Sequence, residues 1–465
     1  MFLCSRPVVG FDHLRVPYRV ADATPGPDGC VTALAPGGRA LRWPAFDRAG
    51  PGPARFFGLG KLRLYGRLLP DADLRDLLGR TGGGWRPVEE LAGGDAAVWW
   101  DDKAGVFLPF DPDEVMLNFW AERYVTRGGP GVRQRAYYAV RPLLPRRVQI
   151  ALRRLYSRVQ RRTPFPRWPV EESLHGFVDR LLGWAADVAG EPVPYLAPWP
   201  AGRSWAFVPT HDVETADGLR RVPLLRDVEL AAGYRSAWNL VPGRYEVPEP
   251  VLDELRAGGF EIGLHGLYHD GRDVADGVYE QRLPEMVRWA RRWDAVGFRS
   301  PATHRAWHTM ASLPFEYDSS YPDTDPFEPQ PGGCCSWLPY VNGPVVELPI
   351  TLPQDHTLFV ILRRTGAGTW IDKCEAIRAA GGMALLITHP DYADPPAVRA
   401  YRELLDRYAG DATAWRARPV DVARWWRRRA ESTIESTVER RAGAWRVTGP
   451  AAGEATVAYT APARG

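Results

Sequence analysis

Lysine is scarce in this chain. Lys61, Lys103 and Lys373 are the only ones among 465 residues, and arginine supplies the rest of the 59 basic side chains. Against 56 acidic residues the net charge is only +3, which gives no reason to expect a nucleic acid or another polyanion as partner. With abundant Ala, Gly and Pro, the arginine excess reads as a bias of composition. Cysteine is also sparse: Cys4, Cys30, Cys334, Cys335 and Cys374 are odd in number and irregularly spaced. That excludes a disulfide framework and a cysteine-type zinc site, and adjacent Cys334 and Cys335 read as small core or loop residues. Long apolar runs are missing too. No segment approaches the roughly 18 uninterrupted apolar residues of a membrane span. The opening "MFLCSRPVVGFDHLRVPYRV" lacks the basic region and apolar core of a secretory signal. The cytoplasm is the default expectation, with peripheral membrane contact left open.

What is present is ordinary for a globular protein: 45% apolar and 25% charged residues. The length predicts two or three units. Residues 1–165 combine short apolar runs such as "KLRLYGRLL" and "AAVWWDDKAGVFLPF" with turn signals, which predicts a mixed, partly β accessory domain of unknown role. Near its end, "RRVQIALRRLYSRVQRR" (146–162) places Val148, Leu152, Leu155 and Val159 at helical spacing with arginines on the other faces. It reads either as a helix lying on anionic lipid or as a bridging helix with a solvated face. A Pro-rich connector, a helix over about 171–189 and a second loop make 166–204 a helix-and-linker stretch.

From Trp205 the chain changes character. The runs "WAFVPT", "SAWNLVP", "EIGLHG", "AVGFRSP", "YDSSY", "VVELPI" and "MALLITHP" alternate with helical segments. This predicts an α/β fold over 205–430, a distorted (β/α) barrel of about seven parallel strands. A β tail over 431–465 reads as two strands around a turn, and Arg427 to Arg429 as a solvated helix end.

Ligands of parallel α/β folds sit at the carboxyl ends of the strands, and these ends carry a consistent chemistry. In "THDVE", Asp212 and Glu214 are two apart and share a strand face. "HGLYH" offers His265 and His269 at a spacing that lets two imidazoles converge on one metal. Arg299 follows a strand in "GFRSPAT", and His389 closes the run "MALLITH". Taken singly, each has a commoner explanation: a surface carboxylate, unrelated histidines, a salt bridge, a core imidazole. Taken together and in order, they point to metal-assisted hydrolysis.

On these residues the chain resembles the polysaccharide deacetylases, the NodB-homology family also called carbohydrate esterase family 4. "THDVE" resembles the family's acidic pair, "HGLYH" its H-[ST]-x-x-H, "RSPA" its R-x-P-Y and "LLITH" its L-x-I-x-H. The resemblance implies a divalent metal, most simply zinc, and removal of acetyl groups from an N-acetylated sugar or glycan. It makes Asp212 the base, Glu214, His265 and His269 the metal ligands, and His389 the acid. Arg299 would orient Asp212, and the backbone N–H of Ala302 would hold the oxyanion. Three departures stand out. Glu214 comes one position later than the commoner aspartate, Gly266 replaces a hydroxyl residue, and Ala302 replaces a tyrosine; the last two suggest an open pocket. For the fourth motif "YDSSYPDTDPF" offers Asp323 or Asp325 as partner of His389. Trp337 and His356, in loops expected at the substrate end, are candidate substrate contacts. Two rivals remain: hydrolysis of another amide-like C–N bond, such as a ureide, and a catalytically silent glycan-binding barrel.

Overall fold

The computed structural model describes residues 1–21, 29–46, 52–81, 83–93, 96–125, 145–436 and 445–462. The chain forms two compact units. One comprises Met1–Tyr124, Glu172–Gly202 and Arg427–Gly465; the other comprises Val125–Glu171 and Arg203–Trp426.

The first unit is built on a nine-stranded mixed sheet running from Tyr18–Val20 at one edge to Leu62–Gly66 at the other. The helix Ser173–Ala189 belongs here. It buries Phe177, Leu181 and Trp184, with Phe177 and Trp184 ring to ring with Phe110 at 6.0 and 6.4 Å. The two C-terminal strands do not pair with each other. Trp445–Thr448 pairs with Thr433–Ser436, and Val457–Thr460 pairs with Val193–Leu196. Arg429 is not a solvated helix end: its guanidinium is buried and donates to the carbonyls of Leu196, Ala197 and His13 at 2.7, 3.2 and 2.8 Å. Three carbonyl acceptors hold this cation in the interior, where burial, with Arg15 nearby, pulls its pKa down to about 9.

The second unit carries a main run of seven parallel strands: β1 (Trp205–Val213), β2 (Ala237–Leu240), β3 (Glu261–Leu264), β4 (Gly297–Phe298), β5 (Tyr317–Asp318), β6 (Val345–Glu347) and β7 (Met383–Thr388); a short eighth, Ala414–Arg416, pairs in parallel with the start of β1. Their order is β6-β5-β4-β3-β2-β1-β7, with Tyr340–Asn342 antiparallel to β6. Past β6 the chain continues in extended form. Thr351 and Leu352 donate to the Leu385 carbonyl of β7 at 3.2 and 2.9 Å, so the two edges of the curled sheet meet. The closure is irregular because β4 and β5 are only two residues long and β6 only three. The result is the distorted barrel expected from the alternating runs. β1 is buried at all nine residues, as a strand covered on both faces must be.

Candidate active site

The strand period of two decides where the residues of "THDVE" go. Asp212 points to the rim. His211, one position earlier, points the other way under the helices Val222–Ala232 and Pro395–Tyr408. There Nε2 is 2.8 Å from Glu229, Nδ1 is 2.7 Å from Thr388 Oγ1, and Tyr401 also donates to Glu229. His211 is therefore a satisfied buried group.

Asp212 is 3% exposed. Its Oδ1 accepts from Arg299 Nη1 at 2.9 Å and from Asn239 Nδ2 at 2.8 Å. Arg299 is fixed in turn by Thr210 Oγ1, the Ser319 carbonyl and Ser319 Oγ, all at 2.8 Å. Burial, the largest effect, pushes the Asp212 carboxyl up. Arg299, His265, His389 and the Asn239 hydrogen bond together outweigh it and hold the group well below the usual carboxylate range. Asp212 is thus ionised, with one oxygen locked and Oδ2 turned toward His265 Nε2, 3.8 Å away.

His265 and His269 open the loop after β3. The Nδ1 of His265 lies 3.1 Å from the Arg299 carbonyl, which can only accept, so Nδ1 carries the hydrogen and Nε2 keeps its lone pair. Burial pulls its pKa down to about 4, against the pull of Asp212, so the ring is neutral. His269 sits in the left-handed backbone region at φ 55°, strained for a residue with a side chain. Its Nε2 is 3.1 Å from Glu214 Oε1 yet makes no well-formed hydrogen bond in its buried position. Glu214 Oε2 accepts from Tyr392 at 3.1 Å, which leaves Oε1 facing His269 and, at 3.9 Å, His389 Nε2. One donor atom from each of Glu214, His265 and His269 falls within a 4.8 Å cluster. A freed lone pair, an orphaned buried nitrogen and one free carboxylate oxygen are the donor set a divalent cation requires.

Gly266 does not open the pocket. A Cβ built there would meet Asp273 Oδ2 at 2.2 Å and the Pro301 ring at 2.8 Å, and the backbone is left-handed at φ 61°. The space a hydroxyl residue would need is filled by Asp273, which is buried and held by Arg282 at 2.8 Å. Ala302 lies in a tight turn over Pro301–Thr303, where it and Thr303 are both left-handed, at φ 53° and 52°. Two successive strained residues on the rim are consistent with a backbone shaped for a task.

His389 finds its partner outside the aspartates chosen from sequence. Its Nδ1 is 2.6 Å from Asp355 Oδ1, and its backbone N–H donates to Oδ2 of the same carboxylate at 2.7 Å. Burial pulls the imidazole down, but the charge and hydrogen bond of Asp355, with Glu214 and Asp212, lift its pKa to about 10. Asp323 instead pairs with Lys373 at 2.8 Å and accepts from Trp337 Nε1 at 3.0 Å. Asp325 accepts from the Phe327 N–H at 2.7 Å and closes a turn. Asp323 thus ties its loop to the helix Gly368–Ala379, and Asp325 holds its own turn. Trp337 is 2% exposed, and its carbonyl accepts from Met383 N at the start of β7, the end opposite the rim. It packs and is not a stacking surface for sugar. His356 does lie beside the site, with its ring 4.8 Å from that of Tyr392.

The ion pair of Asp323 and Lys373 is fully buried, so breaking it leaves a charge without compensation. Lys373→Met is expected to cost about 3–5 kcal/mol of stability. Chemical denaturation would show this as a lower midpoint, and an unchanged midpoint would refute it.

Asn239, Asp355, Asp391 and Tyr392 are the residues the sequence reading passed over. Asp391 Oδ2 accepts from the Glu214 N–H at 2.9 Å and Oδ1 accepts from Thr215 Oγ1 at 2.5 Å. Asn239 had a signal, because it is a polar residue in the apolar strand run "AWNL".

The site is thus a ring of carboxylate, guanidinium and imidazole groups on the carboxyl rim of the (β/α) barrel. The chain is similar in backbone to solved structures over about half its length. A provisionally named polysaccharide deacetylase from Mycobacterium smegmatis is 22% identical, with 52% of this chain and 97% of that one covered and a TM-score of 0.43. The PuuE allantoinase is 18% identical over 49% and 92%, with a TM-score of 0.41. A second provisionally named polysaccharide deacetylase, from Pseudomonas aeruginosa PAO1, is 17% identical over 50% and 93%, with a TM-score of 0.39. No family model matches the sequence, and no curated protein does. Likeness of this size concerns the backbone, and the chemistry rests on the residues of the rim.

Proposed function

We propose that the chain is a metal-dependent hydrolase that removes N-acetyl groups from an amino sugar or glycan. One observation carries the reading: an ionised, half-locked Asp212 stands beside the Glu214, His265 and His269 cluster, while the Asp355-bound His389 faces the same cluster. A silent glycan-binding barrel has no need of base, cation donors and acid together. The donor set of two imidazoles and one carboxylate suits zinc among the divalent transition metals.

When bound, a divalent cation supplies Lewis acidity and makes water easier to deprotonate. The chain's own residues do the rest. Arg299 and Asn239 hold Oδ1 of Asp212, so Oδ2 takes the proton of the water that attacks the acyl carbon. The turn at Ala302 offers its N–H to the oxygen that becomes negative. His389, kept protonated by Asp355, gives its Nε2 proton to the nitrogen as the C–N bond breaks, releasing acetate and a free amine.

The test is acetate release from N-acetylated sugars by zinc-loaded protein, by chelator-treated protein and by His265→Ala. Release is expected only from the loaded wild type. Equal release from all three would overturn the proposal. Zinc binding without acetate release, but with turnover of a ureide, would assign the site to another C–N bond.

A further inference from the structure

The helix Arg146–Gln160 is mounted the wrong way round for water. Its polar side faces the barrel unit to which it belongs. Arg153 Nη2 donates to the Phe327 carbonyl at 3.3 Å and lies 3.6 Å from Glu328 Oε1. Arg154 Nε donates to the Val360 carbonyl at 3.0 Å, and Gln160 Nε2 to that of Pro326 at 2.7 Å. Ser157, on the same side, is buried. A turn of about 3.6 residues then sends Val148, Leu152, Leu155, Tyr156 and Val159 outward, where they are 41–61% exposed. A helix stabilised only against its own barrel would bury this stripe and solvate the arginines.

Charge says what the stripe meets. Residues 145–170 contain eight arginines and no acidic residue. Of these, Arg147, Arg158, Arg161, Arg162 and Arg167 are exposed, and helical spacing puts Arg147 and Arg158 along one border of the stripe. An apolar face edged by unpaired arginine fits the boundary between anionic headgroups and acyl chains: the stripe enters the chains and the guanidinium groups bind phosphate. A second copy of this helix would set arginine against arginine across the contact. We infer that this helix docks the protein onto the surface of an anionic lipid bilayer. No helix among the described residues is long and apolar enough to cross a membrane, so the contact is with the surface. It also bears on the rim. The segment under Arg153 carries Glu328, close enough to His389 and Glu214 to feel their charges, and Val360 lies in the turn that follows Asp355.

The test is sedimentation with phosphatidylcholine vesicles, with and without phosphatidylglycerol, at low and high salt. Wild type is expected to sediment with the anionic vesicles, and less so in high salt. The double variant Leu155→Glu, Val159→Glu should lower the bound fraction roughly tenfold or more. Both positions are solvent-exposed, so zinc binding and the thermal midpoint should not change. Failure to sediment, equal sedimentation with neutral vesicles, or an unaffected double variant would each overturn the inference. So would light scattering that shows a wild-type dimer lost in the variant, which would assign the stripe to a second copy. None of these outcomes depends on what the barrel hydrolyses.

Discussion

Asp212→Asn is expected to lower kcat for deacetylation by about 10²–10⁴-fold while leaving zinc affinity near that of wild type. The amide matches the carboxylate in shape and still accepts from Arg299 through its oxygen. It cannot take a proton from water. The substitution also leaves the guanidinium of Arg299 buried without its counter-charge, so some loss of stability accompanies the loss of rate. The two effects separate experimentally: kcat is measured on protein that thermal melting shows to be folded at the assay temperature. A folded Asp212→Asn that keeps more than about a tenth of wild-type kcat would remove Asp212 from the role of base.

Asp355→Asn carries the second large effect, a fall in kcat of about 10²-fold with a changed pH profile. In the wild type, Asp355 lifts the pKa of His389 to about 10, so the imidazole stays protonated through neutral pH. Removing that carboxylate removes the charge that favours the cation, and the alkaline limb of the rate profile should move to lower pH. Linkage gives stability the same sign. A histidine whose pKa is raised on folding contributes stability that is complete below its unfolded value near 6.5 and is lost as pH rises through about 10. Asp355→Asn should therefore narrow the gap in thermal midpoint between mildly acidic and alkaline solution. A variant with reduced kcat and an unmoved alkaline limb would make Asp355 a packing residue only.

The barrel was legible because its signals are local. Each strand contains a short apolar run, and each rim residue either closes a strand, as Asp212 does, or directly follows one, so period and position alone bring Asp212, His265, Arg299 and His389 to one end. The partner of His389 was not legible, because Asp355 is 34 residues away and meets it only through the path of the chain past β6. Asp323 and Asp325 looked better in sequence for the reason that made them wrong: acidic residues in a turn are first claimed by nearby N–H groups and cations. The helix Ser173–Ala189 shows its amphipathic face in sequence, but nothing in that face says which unit it will cover. Gly266 carried a false signal, since a missing side chain reads as space until the neighbour that fills it is known.

The turn after β7 has a consequence for how this site can fail. Within four residues, His389 turns Nε2 toward Glu214 Oε1, Asp391 holds the backbone of Glu214, and Tyr392 holds one of its carboxylate oxygens. Under the proposed function, cation retention and proton delivery therefore share one clasp. A single inserted residue between His389 and Tyr392 would release both at once, so damage here would not yield a slow enzyme that still holds its metal. It would yield a barrel whose two halves of chemistry disappear together.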